Sequence, residues 1–287
     1  MLVGFNLAGK KAGDRRAERV YNTGGKGRDD MILAIDIGNI RTTVALFTEE
    51  GGLSFQSELE TDAKMTDDRC AIDLMGVFAL YRADLGGVDG AILSSVVPPI
   101  TGAYARTLRR LTGKPPLVVG PGLKTGLNIR AEVHDQLGSD IVASCVAAAA
   151  LYPAPAIVIN SRTAVTFSYL SERAFEGCAI MPGVDIALEA LSRNGAQLPQ
   201  IGLAQVDTPL GRNTVDSMRA GVLYGYSGAF DRVIESLEEA AGAKATAVVA
   251  TGGRAPALYR LCRREIKYDH DLLVKGLYHL YRRNTRR

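Results

Sequence analysis

The chain has 287 residues, 47% hydrophobic and 23% charged, so it can bury a substantial core and is not a low-complexity or fibrous sequence. Residues 1–30 carry seven Lys/Arg and four Asp/Glu, which accounts for the whole net charge of +3 and leaves 31–287 neutral, without the basic body of a nucleic-acid-binding protein. Its longest apolar runs, such as 142–151, are too short to span a membrane.

The segment 1–30 lacks periodicity, is rich in Gly and charge, and reads as a disordered leader. Met31 stands directly before a clean strand, so it is a candidate for the true start. The stretch 31–48, MILAIDIGNIRTTVALFT, organises the rest. An apolar strand runs into Asp36, Gly38 and Asn39 supply turn chemistry, and a second strand follows. The turn's N–H groups and the Thr42 and Thr43 hydroxyls suit a phosphate, and a carboxylate beside them suits Mg²⁺. The same residues also read as an ordinary hairpin that Asp36 caps.

Leu53–Glu58 alternates as a strand, and Thr66–Tyr81 is a helix with Thr66 as N-cap. Gly90–Val97 is a buried strand closed by Pro98 and Pro99, which introduce a helix near Ala103–Leu111. Leu117–Val119 is a short strand, and Gly126–Arg130 is extended. A buried, Ala-rich helix over Ile141–Leu151 follows Gly138-Ser139-Asp140. Asp140 in its first turn complements the macrodipole and, alternatively, aims a carboxylate at a substrate from a rigid helix start.

Tyr152-Pro153-Ala154-Pro155 breaks this helix and marks a boundary between 31–152 and 153–287. The opening pattern then returns about 120 residues on. Ala156–Asn160 is a strand, Ser161-Arg162 a turn and Thr163–Leu170 a second strand. Two such hairpins facing each other would clamp a polyphosphate. Phe175–Gly183 is a further strand, and Val184–Leu191 a helix that places Asp185 and Glu189 on a solvated face. Gln197–Leu203 is a loop, and Thr214 reads as the N-cap of a helix to about Leu237. Ala245–Ala250 is a buried strand ending in Thr251-Gly252-Gly253, where adjacent glycines let the backbone approach a flat ligand. Leu272–Asn284 is a closing amphipathic helix. The four scattered cysteines and three histidines have no metal-binding spacing, and the thiols are expected to be reduced and mostly buried in a cytoplasmic protein.

DIGN at 36–39, the Thr-bearing hairpin at 160–167 and ATGG at 250–253 resemble the phosphate-1, phosphate-2 and adenosine motifs of the actin/hexokinase/acetate-kinase superfamily. Within it, residues 31–287 resemble type III pantothenate kinases. The pieces that carry the resemblance are SSVVPP at 94–99, TGL at 125–127, GSD at 138–140, TAVTF at 163–167, GCAIMPG at 177–183, GRNT at 211–214, MRAGVLYGY at 218–226 and YRRN at 281–284.

The resemblance implies an α/β fold of two ribonuclease-H-like domains, with mixed sheets flanked by helices and the nucleotide in the interdomain cleft. It implies a homodimer that phosphorylates pantothenate to 4'-phosphopantothenate with ATP, Mg²⁺ and a monovalent cation (K⁺ or NH₄⁺), the first step of coenzyme A biosynthesis. Neither nucleic acid nor membrane is an implied partner. Carried over by position, Asp140 is the general base. Asp36, Ile37, Gly38, Asn39, Ile40, Arg41, Thr42, Thr43, Thr163, Gly252 and Gly253 hold the nucleotide. Gly138, Ser139, Asp140, Ile141 and Thr214 meet the substrate, and Asp36 and Asn160 face the metal.

Several positions depart from the family pattern. Ile40 and Arg41 replace Thr and Asn, with Arg41 either supplying charge or filling the site. Ile141 replaces an Arg, Asn160 an Asp, Arg162 a Gly, and Ser168 a frequent Asp. Losing one such group costs about 10²–10³ in rate. Two alternatives therefore stand beside an active kinase: a non-catalytic relative acting as a binding or regulatory protein, and a kinase for another small hydroxylated substrate.

Overall fold

A computed structural model of the chain describes residues 31–130, 137–172, 174–206, 208–253 and 256–285. The leader 1–30, His134-Asp135-Gln136 and Arg254 lie outside the described residues.

The first sheet has the order β3-β2-β1-β4-β5, built from β1 (Met31–Ile37), β2 (Arg41–Phe47), β3 (Leu53–Glu60), β4 (Val88–Ser95) and β5 (Leu117–Val118). β1 is central, antiparallel to β2 and parallel to β4, and six of its seven residues are buried. A strand covered on both faces has no use for alternation, which is why MILAIDI is nearly all apolar. Helices α1 (Asp67–Leu80) and α2 (Pro98–Thr112) pack on one face around Tyr104, Phe78 and Leu74. Thr66 caps α1, accepting from the Arg69 N–H at 3.3 Å. α2 begins at Pro98 and not near Ala103, because both prolines occupy first-turn positions where no backbone donor is required.

The second sheet has the order β11-β10-β7-β8-β9-β6. Its strands are β6 (Asn128–Ile129), β7 (Ala156–Ser161), β8 (Ala164–Leu170), β9 (Ala174–Pro182), β10 (Ala247–Thr251) and β11 (Lys267–Tyr268). β7 is antiparallel to β8 and parallel to β10, repeating the relation of β1 to β2 and β4. The repeat extends to register. Asp36 pairs with Thr43 and Ser94 in the first sheet, and Asn160 pairs with Thr166 and Thr251 in the second. The duplication read from the two hairpins is therefore a duplication of sheets, and Asp36 and Asn160 occupy equivalent positions.

α3 (Ser139–Leu151) lies between the sheets, with α4 (Val184–Asn194) and α5 (Thr214–Ala241) packed together beside the second. The expected N-cap of α5 is corrected by one residue. Asn213, with extended backbone, accepts from the Asp216 N–H at 2.9 Å, and Thr214 is the first helical residue. Asn ranks above Thr as an N-cap because its side-chain oxygen readily accepts from the N–H groups of the first turn. α6 (Pro256–Tyr259) is a single turn, and α7 (Leu272–Thr285) returns to the first sheet, where it packs with α3 over Ile32, Ala34 and Phe47. Helix α7 seats directly on α3. A Cβ at Gly276 would lie 1.8 Å from the Ala143 carbonyl oxygen, so only glycine permits this approach. Asp185 and Glu189 face solvent as expected. Cys70 and Cys145 are buried, with thiols pushed up to about 12 by burial, while Cys178 is exposed, contrary to the expectation of mostly buried thiols. Cys178 falls on the solvent-facing phase of β9, an outer strand that alternates.

Candidate active site

Both hairpin turns and the start of α3 converge on one polar cluster. Asp36, the penultimate residue of β1, is fully buried, and its Oδ1 accepts from the Ser94 hydroxyl at 2.7 Å. Ser94 in turn shares a 2.9 Å hydrogen bond with the Ser139 hydroxyl, which also accepts from the Ser95 N–H at 3.1 Å. Ser139 thus pins the first turn of α3 to the end of β4. This sets the position of the next residue, Asp140, whose Oδ2 accepts from Asn160 Nδ2 at 3.3 Å. Arg162 crosses from the β7–β8 turn to form an ion pair with Asp36 Oδ2. Asp36, Ser94, Ser139, Asp140, Asn160 and Arg162 therefore form one network between the two sheets.

Burial raises the Asp140 pKa above its ordinary value, and the Asp36 charge raises it further, with Arg162 opposing. Burial also works against the Arg162 charge. The carboxylate of Asp36 and the hydrogen bond to it outweigh that cost, and the guanidinium pKa lies above the arginine norm. A carboxylate made more basic than usual at a helix start, with a cation nearby, suits proton acceptance from an alcohol.

The adenosine-type turn closes on the same place. Gly252 and Gly253 have φ of +72° and +67°. A Cβ on Gly252 would lie 2.9 Å from the Ser161 carbonyl and 3.2 Å from Asn160 Oδ1. The second hairpin and this turn therefore touch backbone to backbone, as the pair of glycines suggested. Gly38 adjoins Arg162, whose Nη1 would be 3.0 Å from an added Cβ. Thr163 begins the strand side of the turn, and its carbonyl accepts from the Gly183 N–H at 3.0 Å.

Other expected residues fall elsewhere. Ile40 is exposed, and Arg41, half-exposed, pairs with Glu58 on β3 at 2.8 Å, so it neither supplies charge to the cleft nor fills it. An edge-facing position next to an acidic strand decides this. The Thr42 hydroxyl bonds Thr61 at 2.9 Å. Thr43 is buried opposite Asp36. Ile37 is fully buried in the core of the first sheet. Ile141 packs in the core with Cys145, Phe175 and Leu272, so apolar packing accounts for the residue that replaces Arg. Thr214 lines a separate open cavity of about 610 Å³ between α4 and α5, with Gly211, Asn213, Leu198 and Met218.

Three features escaped sequence reasoning. The roles of Ser94 and Arg162 depend on contacts over 58 and 126 positions, which no local pattern shows. The third is Thr166, four residues past the Ser161-Arg162 turn, whose buried hydroxyl, like Asn160 Oδ1, has no partner among the described residues. Register with Asn160 was the available signal.

The donor set does not fit a divalent ion held on Asp36 and Asn160. Both Asp36 oxygens are engaged by Ser94 and Arg162, and Asn160 brings one neutral oxygen. Among the described residues no group of three or more His, Cys, Asp or Glu could hold a metal. No helix among them is long and apolar enough to cross a membrane.

Known proteins share both sequence and fold. The family model for type III pantothenate kinase matches residues 32–236. A type III pantothenate kinase of Bacillus cytotoxicus is 38% identical over 256 residues, covering 89% of this chain and 97% of that protein. By structure, the chain resembles a Campylobacter jejuni protein assigned to the Baf family of transcriptional activators, with a TM-score of 0.56 at 18% identity, covering 88% of this chain and 98% of that one. It also resembles the activator of 2-hydroxyisocaproyl-CoA dehydratase from Clostridium difficile, solved with bound ADPNP, with a TM-score of 0.53 at 11% identity, covering 88% and 93%. These structural likenesses concern the fold, which is that of the actin-like ATPases with its two mixed, helix-flanked sheets. On the strength of the family match and the full-length relative, the chain belongs to the type III pantothenate kinase family.

Proposed function

We propose that the protein phosphorylates pantothenate with ATP, yielding 4'-phosphopantothenate and ADP for coenzyme A synthesis. The observation that carries this reading is Asp140, set at the start of α3 by Ser139, hydrogen-bonded to Asn160 and facing the Asp36–Arg162 pair. The nucleotide lies in the cleft between the halves 31–152 and 153–287, although β6 and α7 each cross to the other half's sheet. Its phosphates meet the Gly38-Asn39 turn, Thr163 and the spare N–H groups of Arg162, and its adenosine meets Gly252-Gly253. The pantothenate hydroxyl oxygen attacks the γ-phosphorus as the bond to the ADP oxygen breaks, and Asp140 accepts the hydroxyl proton. Gly138 and Ser139, which flank Asp140 at the start of α3, border the acceptor.

Phosphoryl transfer depends chiefly on positioning and charge neutralisation, which a fixed guanidinium can supply. Mg²⁺, in this reading, is carried on the nucleotide and not on Asp36. A monovalent cation (K⁺ or NH₄⁺) has Asn160 Oδ1 as its supporting oxygen. The protein acts as a cytoplasmic homodimer on a small molecule, without nucleic acid or membrane as partner. The test is ADP release by the full-length protein with ATP, Mg²⁺ and K⁺, with and without pantothenate. Release that depends on pantothenate supports the proposal, and release indifferent to pantothenate refutes it.

A further inference from the structure

Arg162 occupies a place that the phosphate hairpin of a kinase would leave open. Its side chain leaves the β7–β8 turn, crosses between the sheets and pairs with Asp36, whose side chain is only 1% exposed. Ser94 holds the other oxygen of Asp36 at 2.7 Å. Along its length the Arg162 side chain abuts both glycine turns. Added Cβ atoms on Gly252 and Gly38 would lie 3.0 Å from its Cγ and its Nη1 respectively. A guanidinium has five N–H donors. Only Nη1 has a side-chain partner among the described residues, and the side chain retains 24% exposure. The other donors, without a hydrogen-bond partner among the described residues, lie where the three nucleotide turns meet.

We infer that Arg162 is the resident cation of the phosphate site, a covalently fixed charge standing at Asp36 where a divalent ion would otherwise sit and offering its spare N–H groups to the nucleotide phosphates. The inference rests on the kinase reading above. It has a physical logic. A guanidinium neutralises Asp36 permanently, and its planar fork suits phosphate oxygens. ATP then finds its cation already in place, so its affinity does not depend on free divalent metal.

Calorimetric titration of ATP into the full-length protein, in excess Mg²⁺ and in EDTA, tests this. The wild-type dissociation constant is expected to differ by less than about threefold between buffers, since the charged hydrogen bonds come from the chain. R162A is expected to bind ATP about 10- to 100-fold more weakly in EDTA, the worth of hydrogen bonds to a charged group, and to regain most of that loss in Mg²⁺. Because R162A leaves a buried carboxylate unpaired, the neutral double variant D36N/R162A is measured alongside, with the same loss in EDTA expected. Wild-type binding that requires Mg²⁺ overturns the inference. Equal weakening of R162A in both buffers also overturns it, since that is the signature of a merely structural arginine. No wild-type binding in either buffer overturns the kinase reading itself, which separates the two failures.

Discussion

Asp140→Asn is the most informative single change, because the structure predicts opposite effects on rate and stability. The variant keeps the size and most of the hydrogen bonding of the side chain, so Ser139 still anchors α3 and Asn160 can still donate to residue 140. What disappears is the proton acceptor. General base catalysis contributes about 10²–10⁴ in rate, which corresponds to roughly 3–5.5 kcal/mol of barrier. We expect kcat to fall by about that factor while KM for ATP and pantothenate moves only a few-fold, since binding contacts remain. Stability goes the other way. Burial and the Asp36 charge hold the Asp140 carboxyl above its ordinary value of 3.8. A carboxyl raised in the folded state gives stability that is full below the unfolded value and is lost as pH rises through the folded one. Asn carries no such loss. The variant should match the wild type below pH 3.8 and exceed it at neutral pH and above. Coupled ADP-release kinetics and thermal denaturation across the pH range read both effects. A kcat within about tenfold of wild type would refute the base assignment. A variant less stable than wild type at neutral pH would refute the account of its electrostatics.

Two further changes test the geometry of the cleft and its supports. G252A forces a Cβ to within 2.9 Å of the Ser161 carbonyl at a φ of +72°, a strain of about 1–3 kcal/mol, and should weaken ATP binding about tenfold or more while leaving pantothenate binding unchanged. Fluorescence titration with a nucleotide analogue checks it, and unaltered affinity would separate this turn from the nucleotide. N213A should cost about 1 kcal/mol through loss of the α5 cap, with T214A costing less. Denaturant unfolding of the two variants decides the order, and the reverse order would return the cap to Thr214.

Much of this architecture was legible without coordinates because it rests on local chemistry. The apolar runs into Asp36 and Asn160, the Gly-Asn turn, the Thr66 cap and the proline break at 152–155 each depend on residues within a few positions of one another. Side-chain period and turn preference act over that range. The sequence also carried the family, since motif order and spacing persist over the matched region 32–236. The side-chain partnerships in the cleft were beyond local reading. Arg41 and Arg162 looked alike as substitutions for small residues in phosphate turns. The fold sends Arg41 to Glu58 at a sheet edge and Arg162 across the cleft to Asp36. Ile141 looked like a lost substrate contact and is a core residue. For Arg162 and Ile141 the outcome depends on which groups another sheet or helix brings within a few ångströms, which is set by how the two halves pack together, and for Arg41 on the pairing of β2 with β3.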